Sequence, residues 1–207
     1  SPFADAADGQ VSGTSGTVGA TGRSSTGSSR DKTSATVNAV QVQNDTATYY
    51  IDHGYLTFDT SSIPDGATVI SAELGVYVNS KIESGLSASM CVVESLQASA
   101  TDLATTDFPL VGTTELATRK VISGLSTAAY TTYALNASGL AVISKTGFTK
   151  LALVSSKDFD NSAPSLATYS IVNINCTEQT GTSKDPYLTV VYSLDRSTSD
   201  SWAWSDS

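Results

Sequence analysis

Apolar and polar residues alternate along most of the chain between residues 50 and 193. In TVISAELGVYV, Ala72, Leu74, Val76 and Val78 fall on one side, and Ser71, Glu73 and Tyr77 on the other. A period of two is the spacing at which successive side chains of a β-strand leave opposite faces, so this segment predicts a half-buried strand. GYLTFD sets Leu56 and Phe58 inward with Tyr55 and Thr57 outward, and TKLALVS sets Leu151 and Leu153 inward. PYLTVVYS gathers Leu188, Val190 and Tyr192 on one face, Ile171 to Cys176 gathers Val172, Ile174 and Cys176, and Met90 to Glu94 follows the same rule. Strands of this length between clusters of turn residues predict an all-β fold, an antiparallel β-sandwich of jelly-roll-like type.

The breaks between these runs carry turn chemistry. Pro64-Asp65-Gly66 places proline where a tight turn wants a fixed φ and glycine where it wants freedom. One or two short helices are expected. In LNASGLAVISKTG, Leu140 and Ile143 recur at helical spacing, Asn136 can cap the start and Gly147 follows the end. Residues 99–106 can form a second turn of helix, with Ser99 and Asp102 at capping-box-like positions.

At 207 residues the chain fits one large β domain, long enough to bury its own core. The expected organisation is an N-terminal arm at 1–7, a single β-sandwich over 8–194 and a tail at 195–207 rich in Ser, Asp and Trp. Residues 9–36 leave two readings open: a flexible Gly/Ser linker by composition, or edge strands at Gln10 to Ser12 and Thr17 to Ala20.

Composition sharpens the picture. Ser and Thr make up roughly three residues in ten, as suits strands with hydroxylated outer faces. A net charge of −9, with Lys and Arg scattered singly apart from Arg119-Lys120, excludes nucleic acid as a partner, because phosphate binding needs clustered cations. The bland reading of Arg119-Lys120 is a solvated strand end. No apolar run is long enough to cross a bilayer, and the start at Ser1 predicts a processed N-terminus. Cys91 and Cys176 either pair in one disulfide or remain as buried thiols.

Candidate chemistry is sparse. His53 is the only histidine, is expected to point outward beside Tyr55, and has no nucleophile elbow to serve, so no catalytic residue is assigned. Glu73 and Glu94 could lie across neighbouring strands, but five dispersed glutamates announce no acid/base pair. Lys157-Asp158-Phe159-Asp160-Asn161 alternates oxygen donors in a loop, so Asp158, Asp160 and Asn161 are candidate calcium ligands, with an Asx turn as the alternative. Tyr49, Tyr50, Tyr55 and Tyr77 can offer flat rings to a sugar, with Tyr55 and Tyr77 side by side, or can simply cover the sheet. Trp202 and Trp204 are candidate interface anchors, since aromatic residues dominate interface energetics.

Three passages carry a family resemblance. HGYLTFDTSSIPDGATVISAELGVYV is similar to a signature of glycine, an aromatic, Leu-x-Phe-Asp, then Ile/Leu-Pro-x-Gly-Ala and an alternating strand. YALNASGLAVISKTGFTKLALVSSKDFD has the short helix, Thr-Gly turn and strand, and DPYLTVVYS closes the pattern. They resemble the DNRLRE-type β-sandwich family, which is akin to carbohydrate-binding modules and occurs on secreted bacterial, archaeal and phage proteins. The matching passages cover residues 50 to 193, and an opening Asp8-Gly9 extends the resemblance to 8–194. Where relatives often carry Arg before the glycine this chain has His53, so no role for that cation transfers. The resemblance implies no catalytic residues. It implies an extracellular, cell-surface or virion setting, and the role expected there is a structural or adhesive one as a decoration, fibre or filament component. The partners expected are copies of itself or other surface proteins, with glycans as an alternative partner for a carbohydrate-binding module. A polysaccharide hydrolase or lyase ranks last.

Overall fold

The computed structural model describes residues 7–46 and 48–194. The expected tail with Trp202 and Trp204, and all but Ala7 of the expected arm, lie outside the described residues.

The alternating segments form strands as their periodicity requires, and further strands that the alternation did not mark join them. In chain order these are β1 (Gly9–Ser15), β2 (Ser29–Asp31), β3 (Thr36–Asp45), β4 (Thr48–Asp59), β5 (Ala67–Ser84), β6 (Ser89–Glu94), β7 (Lys120–Val121), β8 (Ala129–Ala134), β9 (Phe148–Ser155), β10 (Tyr169–Asn175) and β11 (Tyr187–Leu194). All their pairings are antiparallel, in the order β11-β5-β10-β3-β4-β9-β6-β7, with β8 beside β5, β1 beside β4 and β2 beside β1. The chain is therefore an all-β, β-sandwich-like fold.

Two long strands let the sheet curl. β5 gives residues 67–75 to β11, 73–78 to β8 and 78–84 to β10. β4 gives 48–53 to β3, 49–55 to β1 and 54–59 to β9. Each thus exchanges partners along its length, and the curled sheet closes over one core. Ala72, Leu74, Val76 and Val78 reach that core from β5, Val172 and Ile174 from β10, and Leu151 and Leu153 from β9. Burying so many branched and aliphatic side chains at about 25 cal/mol per Å² of apolar surface is the main stabilising term.

The local signals decide the connections. The amide of Ala67 donates to the Pro64 carbonyl at 2.8 Å, closing the tight turn at Pro64-Asp65-Gly66. Helix α2 (Ala137–Ala141) starts at Asn136, whose side chain accepts from the Gly139 amide at 3.0 Å. Two further helical turns, α1 (Gly19–Gly22) and α3 (Ser156–Phe159), flank the site described below. Residues 9–36 form no linker: β1 and β2 occupy them, while Thr17 to Ala20 leads into α1 instead of forming a strand. The expected helical turn at 99–106 is displaced to a 3-10 turn over Thr105–Asp107. There the Asp107 carboxylate, not Ser99 or Asp102, accepts from the amides of Ala104 and Ala98.

The alternation in β4 misleads in one respect. Leu56 and Phe58 are buried as expected, but so are Tyr55, Thr57 and His53. The segment 95–111 covers the second face, with Gln97 donating to Thr57 and the Asp107 carbonyl accepting from the Tyr55 hydroxyl. β4 is enclosed on both sides, and period two cannot distinguish a face covered by a loop from one covered by water.

Candidate functional site

A buried polar group is built from three distant segments. Ser155 caps α3 by accepting from the Lys157 amide at 3.2 Å, and the short helix turns Asp158 inward. Asp158 Oδ1 accepts from the Gly19 amide at 2.8 Å, and Oδ2 accepts from Arg23 Nη1 at 2.7 Å. His53, projecting from β4, places Nε2 3.0 Å from Asp158 Oδ2 and Nδ1 3.2 Å from the Phe108 carbonyl. Both ring nitrogens thus lie within hydrogen-bond reach of oxygen atoms.

Close packing seals this cluster. The Phe108 ring stacks on His53 with centroids 4.7 Å apart and planes 11° from parallel. Gly13 on β1 makes room for it, since a Cβ there would lie 2.3 Å from the Phe108 ring. Gly19 has φ +73, and its amide reaches the carboxylate only because α1 begins with this left-handed residue. His53 and Asp158 are wholly buried and Arg23 nearly so. Burial by itself raises a carboxyl, but the hydrogen bond and charge of His53 together with the Arg23 guanidinium outweigh it and hold Asp158 down at about 2. The outward His53 of the sequence reading is thus corrected: the ring is an internal tie between β4, α1 and α3, closed to any substrate.

The expected calcium site is not assembled. Asp158 is spent on Arg23, His53 and Gly19, and Asp160 forms a two-pronged pair with Arg119 at 2.5 and 3.0 Å. Asn161 packs its side chain on Gly19 in a left-handed conformation. The three side chains do not converge: Asp158 turns inward, Asp160 turns to Arg119 and Asn161 packs on Gly19. Arg119, expected as a solvated strand end, also bonds Glu115 and lies over the Phe159 ring.

Cys91 and Cys176 are both buried and both free thiols, so the disulfide alternative does not hold. They sit in separate parts of the sheet, Cys91 on β6 and Cys176 just past β10. Glu73 and Glu94 do not face one another either, because β5 and β6 are not neighbours in the sheet.

The four candidate tyrosines separate. Tyr55 is enclosed beneath the segment 95–111, while Tyr49 and Tyr50 lie on β4 opposite Ser15 and Thr14 of β1. Tyr55 and Tyr77 are therefore not side by side. Tyr77 instead meets Tyr130, its cross-strand partner on β8, edge to face at 5.3 Å, and Tyr130 meets Tyr187 at the same distance. Lys184 lies 5.2 Å over the Tyr77 ring and Glu73 accepts from the Tyr187 hydroxyl. Beside Tyr130 opens a groove of about 410 Å³ lined by Lys120, Val121, Leu125 and Thr132 among others. A second depression, of about 420 Å³, has Glu94 as its one acidic lining residue among the described residues.

One metal-ligating constellation was not legible in the sequence. Oxygens of Asp8 and Glu178 and the sulfur of Cys176 lie within 4.8 Å of one another, the only such group among the described residues. Asp8 is positioned by the Thr177 amide and hydroxyl, both at 2.9 Å. Burial pushes its carboxyl up to about 7, opposed by the Thr177 amide and reinforced by the charge of Glu178. The separation of 168 positions between Asp8 and Cys176 left no spacing to detect, and the sole signal was the Cys-Thr-Glu triplet itself. Arg23 likewise sat in a stretch whose Gly/Ser composition concealed it.

No protein-family model matches the chain, and a comparison with curated proteins finds none that matches it.

Proposed function

We propose that this chain is a non-catalytic β-sandwich module that works by assembly, with a second copy of itself docking along the β11 edge. The observation that carries this reading is β11 itself. Among the described residues it ends the strand order and pairs with β5, and its outer part, TVVYSL from Thr189 to Leu194, carries no charge or proline. Proteins that stay apart usually protect such an edge with lysine, proline or a covering loop. Here Val191, Tyr192 and Leu194 are exposed, and the register sets exposed Ile70 of β5 beside them where a bulge interrupts the pairing. Such an apolar strip on an otherwise hydroxyl-rich surface favours a protein partner.

A non-catalytic role is supported by the enclosure of the sole histidine and by the absence of a close pair of glutamates in either depression. The resemblance to surface β-sandwich proteins extends the proposal to display on a cell surface or virion. The mass of the native protein in solution, with and without charges placed on β11, tests the assembly.

A second reading, recognition of a glycan, is favoured by the Tyr130 ring in the groove at Lys120 and Thr132, with Tyr77 and Tyr187 packed against it. Aromatic faces with nearby hydroxyl and ammonium donors are how sugar rings are held. Retention on immobilised polysaccharides tests it.

A further inference from the structure

We propose that Asp8, Cys176 and Glu178 form a binding site for a thiophilic divalent cation of the zinc type. The three ligand atoms already lie within 4.8 Å of one another, so a cation between them requires little rearrangement. Two carboxylates and one sulfur are a donor set that Zn²⁺ accepts and that Ca²⁺ or Mg²⁺, which take oxygen alone, does not select.

A second observation, independent of the cluster, points to a missing positive partner. Among the described residues, only four buried side-chain polar atoms lack a hydrogen-bond partner, all of them oxygens. Two, Asn175 Oδ1 and Asp185 Oδ1, belong to the short stretch that carries Cys176 and Glu178. Asp185 is 4% exposed, and its carboxylate is close enough for its charge to bear on Asp8, Cys176 and Glu178. A buried acceptor without a donor is costly, and a buried carboxylate whose charge bears on two further acids is costlier still. A cation removes both penalties at once.

The position gives the ion a task. Asp8 immediately precedes β1, while Cys176 and Glu178 begin the turn between β10 and β11, so the ion would staple the start of the domain to its last connection. This inference does not rest on the assembly reading, and either can fail without the other.

The test uses the full chain stripped with chelator and titrated with Co²⁺ and then Zn²⁺. The expected result is one ion per chain, a sulfur-to-cobalt charge-transfer band that Zn²⁺ bleaches, and a Tm raised by several degrees at saturation. Cys176→Ser should abolish the band. Glu178→Gln, at an exposed position that folding tolerates, should weaken binding by roughly tenfold or more while keeping the band. No binding by the folded, stripped protein would overturn the proposal, as would a charge-transfer band surviving in Cys176→Ser. Equal binding of Ca²⁺ and Zn²⁺, indifferent to both substitutions, would reduce the cluster to general acidity and overturn it too.

Discussion

His53 Nε2 lies 3.0 Å from Asp158 Oδ2, with neither side chain reaching solvent, although 105 residues separate the two in the chain. The pair, completed by Arg23, connects β4 to α3 and α1, so three parts of the curled sheet are locked together by one carboxylate.

Removing that carboxylate should be severe. Asp158→Ala leaves Arg23 buried opposite a cavity, and breaking one partner of a buried pair costs about 3–5 kcal/mol. Asp158→Asn keeps the shape but has one side-chain oxygen where Gly19 and Arg23 use two, so it retains only one of those bonds and should cost less than the alanine substitution. Urea unfolding of the three proteins measures this; a loss below about 0.5 kcal/mol for Asp158→Ala, the scale of an indifferent surface change, would contradict the tie.

The same pair sets the acid limb of stability. Asp158 is held at about 2 when folded, facing Arg23 and His53, and returns to the ordinary 3.8 when unfolded. The unfolded chain therefore binds the proton more readily, and the stabilisation is complete above pH 3.8 and lost as pH falls toward about 2. Denaturant midpoints followed across that window should fall more steeply for the wild type than for Asp158→Asn; superimposable acid limbs would count against the assignment.

The thiols offer a chemical check. Burial pushes both Cys91 and Cys176 upward, away from the reactive thiolate. Without reductant, the native protein should resist alkylation, and the protein in denaturant should take up two alkyl groups by mass. Uptake in denaturant only after reduction would show a disulfide that the structure does not contain.

These tests fall on features of unequal visibility in the sequence. The strands β4, β5, β6, β9, β10 and β11 were legible because Leu74, Val76, Val172 and Leu151 alternate with polar neighbours, while the short β7 and β8 were not read, and Asn136 announced its own cap. His53 and Tyr55 were misplaced because alternation describes a strand, not what lies over it, and the segment 95–111 covers that face. The Asp158, Asp160 and Asn161 loop looked like a cation site because a one-dimensional pattern cannot show that the three side chains do not converge. Arg23 was unreadable among glycines and serines because its partner comes 135 residues later.

The tyrosine cluster makes a separable prediction. Tyr130→Ala removes the ring that touches both Tyr77 and Tyr187 and borders the groove. On the glycan reading, retention on polysaccharide should be lost with a change of about 1–3 kcal/mol in binding, on the scale of a lost aromatic contact. Unchanged retention, or none in the wild type, removes the reading.

The central claim is assembly through the β11 edge, and the native mass by light scattering tests it most directly. The wild type should run as a dimer or larger relative to the 21.4 kDa chain. Val191→Lys combined with Leu194→Lys, both at exposed positions, should give the monomer with stability changed by no more than about 0.5 kcal/mol per site. A wild type that is monomeric at all concentrations, or an assembly indifferent to both lysines, would contradict the account.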